Sequence, residues 1–400
     1  MVASAIGMSS GPSQFAFGSL GIFMIPLNEE FGWSRSEISL ALTFFTFSLA
    51  CTIPFIGVLV DRFGSRLILI PSIAMFAVLL AAVPSFAEHL WLFWLLFFLI
   101  GIFGSGANAL PYLRCLSSWF DRRRGLAIGI AMGGSGMGFV YVPPTIQYFI
   151  AEYGWRAGYF FLAFVVAFVG LPAVWFLIRN SPSSDESLIE IEFSDLVRSK
   201  PEKEGINLFN LLKRPLLWVL FSIFFLLSFC LYGLLPHLFP MMRDLGMETT
   251  DAALVQATLG VSIVVSRILV GFLMDRYFAP YVAALCFAFA AIGIALLSTG
   301  VSDFSALIAV ILIGFSMGAE MDMLAFLASR YFGIKNFGQV YGLLFISFLT
   351  GTSLGPFCYG LAYDFLNSYS WVLLANSSLV LMCGIATIFL PRYPNPTKTT

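Results

Sequence analysis

The sequence predicts an all-α membrane protein in which twelve transmembrane helices form two pseudo-symmetric six-helix bundles. Three observations lead to this prediction. Of the 400 residues, 59% are hydrophobic and 11% are charged, whereas about a quarter of the residues in soluble proteins are charged. The apolar residues lie in long continuous runs, which excludes the alternating pattern of a membrane β-barrel. The second half of the chain also repeats motifs of the first half.

Twelve apolar segments are long enough to cross a bilayer, which takes about 20 residues per helix. Lipid offers the backbone no hydrogen bonds, so these segments must be helical. The predicted spans are residues 3–27, 37–60, 67–87, 90–118, 125–150, 156–178, 215–239, 251–274, 280–299, 304–329, 338–363 and 370–390. A polar segment between the sixth and seventh spans divides the chain into an N-terminal half (1–178), a linker (179–214) and a C-terminal half (215–400).

The distribution of Lys and Arg predicts the orientation, because cytoplasmic loops carry an excess of both. With a cytoplasmic N-terminus, sixteen of the 21 basic residues lie on the cytoplasmic side and three on the outside. Both termini and the linker are therefore expected in the cytoplasm.

The same composition excludes several other classes of protein. A net charge of -1 without a long basic run argues against a nucleic-acid partner. The six cysteines form no CxxC pair and there are two histidines, so we expect no metal site and no cofactor. We expect no catalytic residues either, since an integral-membrane enzyme or a receptor would need a reactive constellation or an appended soluble domain.

A loop motif after the second span recurs at an offset of 214 residues. Its residues are Gly57, Asp61, Arg62, Gly64 and Arg66 in the first copy and Gly271, Asp275 and Arg276 in the second, which has Phe278 in place of the second glycine. The glycines are expected to allow close helix contact. The loop resembles the GxxxDRxGxR motif of major facilitator transporters, in which two six-helix halves rock about a central substrate site. This resemblance implies a cytoplasmic gate that latches the outward-open state.

A narrower resemblance covers nearly the whole chain. The segments GIFMIPLNEEFGWSRSEISLA, WFDRRRGLAIGIAMGGSGMG and GWRAGYF are similar to the bacterial monocarboxylate and oxalate/formate transporter branch. The resemblance implies a multi-pass protein of the bacterial inner membrane. It also implies a substrate-binding arginine four residues before the glycine of the second loop motif, which is Arg267. The chain departs from the animal monocarboxylate carriers at Ile263, where they have an aspartate.

Four charged residues lie well inside predicted spans: Arg114, Arg267, Glu320 and Asp322. Each costs about 2.5–3.5 kcal/mol to insert, so such residues usually face a pathway. Arg267 is the main candidate for binding an anion, because a guanidinium offers a carboxylate two parallel donors; the alternative is an ion pair with an acid on the tenth helix. Arg114 is a second anion contact, a partner for Asp322, or a side chain that extends towards the cytoplasm.

Both acids are candidates for proton coupling, but they lie about 200° apart around a helix. Comparison with the first half assigns Asp322 to the pathway and Glu320 to a helix interface. Further cavity candidates are Gln14, Tyr232 and His237, although His237 is more typical of a structural interface near the outer end. The many phenylalanines are expected to face lipid or to pack between helices.

These residues predict a secondary active transporter for a small organic anion, similar to a monocarboxylate, that works by alternating access. Two arginines and two acids sum to zero charge, so an entering anion calls for a proton, which predicts symport. The expected partners are the anion, a proton and the bilayer, with the protein as a monomer. Two alternatives stay open: an anion exchanger without proton coupling, and a proton-driven exporter of amphipathic compounds.

Overall fold

The computed structural model describes residues 1–86, 88–120, 124–178, 208–300, 303–333 and 336–393. Within these residues the regular structure is helical and contains no β-strand. The all-α prediction is therefore confirmed. Most of the predicted linker, residues 179–207, lies outside the described residues.

The helices follow the order of the predicted spans, and we number them accordingly. In the N-terminal half they are α1 (Val2–Ser9 and Pro12–Phe31), α2 (Arg35–Phe63), α3 (Ser65–Phe86), α4 (Leu90–Gly104 and Ala109–Trp119), α5 (Arg124–Tyr153) and α6 (Trp155–Val165 and Leu171–Leu177). A short helix, Leu208–Leu212, precedes the C-terminal half. That half contains α7 (Pro215–Asp244), α8 (Thr249–Arg276), α9 (Ala279–Ser298), α10 (Asp303–Phe332), α11 (Phe337–Leu366) and α12 (Ser370–Ile388).

In the described part of the chain, ten helical segments are long and apolar enough to cross a membrane. The two other predicted spans correspond to α1 and α5. The longer piece of α1 has 20 residues and α5 has 30, so both have spanning length.

Three spans are interrupted, which the sequence prediction missed. The break in α1 falls at Gly11, whose extended backbone leads into Pro12 at the first position of the second piece. A 3₁₀ turn, Ser105–Ala107, divides α4, and the Asn108 side chain caps the second piece. In α6 a π-helical stretch, Val166–Gly170, joins the two pieces.

The two halves meet at one end of the molecule and separate at the other. We call the first the closed end, where α1 leads into α2 and α7 into α8. A Cβ on Gly21 would overlap the carbonyl oxygen of Pro236, and a Cβ on Gly360 would lie 2.6 Å from the Cα of Ser36. Only glycine permits this proximity of backbones.

The open end is where α2 leads into α3 and α8 into α9. Glycines on the four helices that face each other across the halves have nothing within 4 Å of a built Cβ at this end: Gly57, Gly129, Gly133, Gly271, Gly338 and Gly342. The halves thus diverge towards the loops that carry the repeated motif.

The two copies of this loop differ in backbone conformation. Gly64 ends α2 with φ +81° and ψ 157°, a combination that is essentially restricted to glycine. Phe278 occupies the equivalent position with φ -64° and caps the start of α9. The missing glycine of the second copy therefore reflects a different turn.

Candidate functional site

Arg267 lies on α8 and is half-buried. Among the described residues its Nε atom is buried and has no hydrogen-bond partner. The ion pairs in the described part of the chain involve other arginines, namely Arg35, Arg114 and Arg156. The expected alternative, an ion pair with an acid on α10, is not formed within 4 Å among these residues. Arg267 can therefore offer donors to a ligand.

A cavity of about 480 Å³ lies on the open-end side of Arg267, four residues and more along α8. It is lined by Gly271, Met274, Asp275, Asp322, Ala325, Phe326, Ser329 and Phe337. Gly271 is four residues from Arg267, so both share one face of α8. Asp322 also interacts electrostatically with Arg267. The structure thus places Asp322 in the lining of the cavity and close enough to Arg267 to interact with its charge.

Glu320 is on the opposite face of α10 and does not line this cavity. Its side chain is 0% exposed, and neither carboxylate oxygen has a hydrogen-bond partner among the described residues. It interacts electrostatically with Cys230 of α7 and Cys383 of α12. Glu320 therefore lies in a helix interface, separate from Asp322.

The structure does not bring Arg114 to Arg267 or Asp322. Its Nη2 lies 3.2 Å from Oδ1 of Asp61, and both side chains are partly exposed. Asp61 is in the last turn of α2 at the open end, so the Arg114 side chain extends in that direction. Of the three roles considered for Arg114, this geometry corresponds to the extended side chain.

The repeated motif lies at the open end, where Asp61, Arg62, Asp275 and Arg276 are exposed. Arg66 donates from Nη2 to the carbonyl oxygen of Trp175, 2.9 Å away in α6. The close helix contact expected at Gly57 and Gly271 is not made in this conformation, because the halves are separated there.

Tyr232 lies near the middle of α7, between the charged residues and the closed end. Its ring contacts Phe17 of α1 edge to face at 5.8 Å and Phe348 of α11 at 5.2 Å. It interacts electrostatically with both Arg267 and Glu320. Gln14 is placed differently, since its Cβ and Cγ pack against Gly138 at the break in α1.

His237 is fully buried at the closed end, in a network that joins the two halves. Its Nδ1 lies 2.9 Å from the hydroxyl of Tyr369, and its Nε2 lies 2.9 Å from the carbonyl oxygen of Pro356 and 3.1 Å from Oγ of Ser39. The Tyr369 hydroxyl in turn accepts from Arg35. This position agrees with the structural interface expected for His237.

The partners of Arg35 were not predicted from the sequence, in which Arg35 counted only as one of the three basic residues on the outside. The guanidinium binds Asp244 through two hydrogen bonds of 2.6 and 2.7 Å and lies 3.7 Å from the centre of the Tyr363 ring. Asp364 accepts hydrogen bonds from the backbone N–H groups of Arg35 and Ser36. These partners are distant in the sequence, and no local pattern connects them.

A ladder of aromatic rings on α11 was also missed. It consists of Phe337, Tyr341, Phe345 and Phe348, whose consecutive centroids are 5.4, 5.8 and 5.9 Å apart. The spacing of four, four and three residues is the signal that could have revealed it, because it places all four on one helix face.

Comparison with known proteins adds a family relationship. The Major Facilitator Superfamily profile matches residues 6–356. An uncharacterized MFS-type transporter, YcxA, of Bacillus subtilis (strain 168) is 24% identical, with 96% of this chain and 91% of the relative aligned. The MFS transporter asaE of Aspergillus flavus is 24% identical over 87% of this chain and 75% of its own length. Monocarboxylate transporter 11 of Homo sapiens is 26% identical over 98% of this chain and 83% of its own length.

Proposed function

Because the chain belongs to the Major Facilitator Superfamily and is a multi-pass membrane transporter, we propose that it carries a small organic anion, similar to a monocarboxylate, together with a proton. Similarity to Monocarboxylate transporter 11 supports the class of substrate. The single observation that carries the proposal is the buried Nε of Arg267 without a hydrogen-bond partner among the described residues.

Arg267 suits a carboxylate for electrostatic and geometric reasons. An arginine inside a membrane protein is expensive to insert, and in most cases it serves a pathway. Its planar guanidinium binds a carboxylate through two parallel hydrogen bonds and stays charged in a partly dry site. A bound carboxylate would supply the partner that Arg267 lacks in the described part of the chain.

The charges around the cavity favour cotransport of a proton. Arg114 pairs with Asp61, whose negative charge balances its positive charge. An ionised carboxylate buried without a donor is very unfavourable, so we treat Glu320 as neutral. The positive charge of Arg267 and the negative charge of Asp322 then cancel, so an entering anion leaves one excess negative charge. A proton on Asp322 restores the balance.

Alternating access requires a second conformation in which the open end closes. The charge distribution predicts that the open end is cytoplasmic, so this conformation corresponds to an inward-open state of the bacterial inner membrane protein, with both termini inside. In the opposite state the two halves would rock together at Gly57 and Gly271. The exposed Asp61 and Asp275 would then form the gate contacts.

The test is transport by purified protein in liposomes, with and without an acidic exterior. We expect wild-type protein to accumulate a monocarboxylate such as propionate when the gradient is imposed. Arg267→Ala should abolish both accumulation and exchange of labelled for unlabelled propionate. Asp322→Asn should lose accumulation but retain exchange, which also shows that the variant is folded. Glu320→Gln is the matched control on the opposite face of α10 and should retain both.

Other outcomes distinguish the alternatives. An anion exchanger would show exchange but no response to the pH gradient in the wild-type protein. Uphill accumulation by Asp322→Asn would contradict the coupling role of Asp322. Transport of propionate by Arg267→Ala would remove the basis for an anion substrate and favour export of amphipathic compounds.

A further inference from the structure

The aromatic ladder of α11 faces the same pathway as Arg267 and Asp322. Its first ring, Phe337, lines the cavity together with Asp322. The second, Tyr341, interacts electrostatically with Asp322. The last, Phe348, contacts Tyr232, which in turn interacts with the charge of Arg267. The rings therefore extend along the route between the open end and the arginine.

The ladder is long and its rings are nearly parallel. Eleven residues separate Phe337 from Phe348, which corresponds to about 16 Å along the helix. The interplanar angles of consecutive pairs are 28°, 9° and 10°. Phe337, Tyr341 and Phe345 are half-buried, so each keeps exposed ring surface. A planar apolar group could move along this surface from one ring to the next.

We infer that the transported anion carries an aromatic ring, so that the substrate class is arylcarboxylates. This inference rests on the proposed function, because it takes the carboxylate to bind Arg267. The ladder contributes ring contacts, which prefer offset or edge-to-face geometry and favour an aromatic partner beyond simple area burial. A small aliphatic acid binds the guanidinium equally well but leaves the ring faces unoccupied.

Two acids isolate the contribution of aromaticity in the liposome assay. Phenylacetate and cyclohexylacetate have the same charge and chain and differ in the saturation of the ring. Wild-type protein is expected to show a KM for phenylacetate roughly two- to tenfold lower, the range of a single aromatic contact. Phe345→Leu is expected to remove this preference while cyclohexylacetate is still transported.

The matched control lies on the same helix. Phe365 is 81% exposed and is two turns beyond Pro356, outside the ladder. Phe365→Leu is expected to keep the full preference for phenylacetate.

Equal KM values for the two acids in the wild-type protein would overturn the inference, as would an unchanged preference in Phe345→Leu. Either result would leave carboxylate transport through Arg267 intact, so the proposed function would stand. If the protein transported none of the three acids (phenylacetate, cyclohexylacetate and propionate), both the inference and the proposed function would be overturned.

Discussion

At the closed end an ion pair and several hydrogen bonds join the two halves, whereas the ion pair described at the open end lies within one half. Arg35 of α2 pairs with Asp244 of α7, and Asp364 of α11 accepts from the backbone at the start of α2. At the open end, by contrast, Arg114 pairs with Asp61 of the same half. Contacts at the closed end therefore stabilise this conformation, whereas the gate motif makes no contact between the halves among the described residues.

The closed-end network has a definite direction of hydrogen bonding. The Pro356 carbonyl can only accept, so Nε2 of His237 carries the hydrogen. His237 is fully buried and its hydrogen-bond partners in the described part of the chain include no acid, which favours a neutral ring. Nδ1 then accepts from the Tyr369 hydroxyl, which itself accepts from Arg35. His237 is therefore the neutral Nε2–H tautomer, assigned from its partners. The chain of donors connects α2, α7 and α11.

The largest expected effect comes from blocking closure at either end. Gly21→Ala places a methyl group on the Pro236 carbonyl, so we expect transport to fall about tenfold or more and the closed end to open. Gly57→Ala fits this conformation, since nothing lies within 4 Å of its Cβ, but it should block closure of the open end. Gly21→Ala should therefore hold the protein with the closed end opened, and Gly57→Ala should hold it in the conformation described here.

Maleimide labelling of Ser36→Cys, with Cys51 and Cys358 replaced by alanine, distinguishes these states. Ser36 is buried at the closed end, so labelling should rise in Gly21→Ala and stay low in Gly57→Ala. Equal labelling of the two variants would contradict the difference between the ends.

A smaller effect is expected from removing the ion pair across the halves. Arg35→Ala should lower transport several-fold, because the partly buried ion pair with Asp244 and the hydrogen bond to Tyr369 are lost. Arg156→Ala is the matched control. It removes a similar two-bond pair with Glu30, but both partners belong to the N-terminal half and are more exposed.

An exposed pair of this kind contributes about 0–1 kcal/mol, so Arg156→Ala should transport within about twofold of wild type. Initial rates of propionate uptake, normalised to protein in the membrane, provide the measurement. Similar losses in the two variants would mean that contact across the halves is not what matters.

The smallest effect on transport is expected from the loop of the first motif, whose shape is determined within its own half. Gly64→Ala forces alanine into a backbone region that costs about 1–3 kcal/mol. The melting temperature in detergent should fall, while the rate per folded molecule stays near wild type. Gly129→Ala, in an open part of helix α5, should not lower the melting temperature, because alanine favours helix. A rate that falls with Gly64→Ala would show that the conformation of this loop matters for the gate as well as for stability.

Long apolar runs made the helices predictable, because length and hydropathy suffice to recognise a span. The interruptions of the helices were not predictable, because they depend on local backbone geometry within apolar sequence. They lie at Gly11, at Ser105–Ala107 and in the π-helical stretch of α6. Glycines and prolines occur throughout the spans, and few of them break a helix.

The candidate site was predictable in part. Internal repetition indicated the face of α10 on which Asp322 lies, and helical periodicity separated it from Glu320. The partner of Arg114 was not predictable, because depth along a helix does not say where a long side chain ends. The partners of His237 and Arg35 come from helices more than a hundred residues away, and only the assembled structure brings them together.

The rings of Phe348, Tyr232, Phe17 and Phe45 form a continuous column from α11 through α7 and α1 to α2. This column lies between the charged residues and the closed end, and Phe17 and Phe45 are almost completely buried. An apolar constriction excludes water, and a proton cannot cross it without a chain of hydrogen-bonded water molecules. We therefore expect the column to keep water and ions from passing between the charged residues and the closed end in this conformation, so that the membrane gradient is not dissipated.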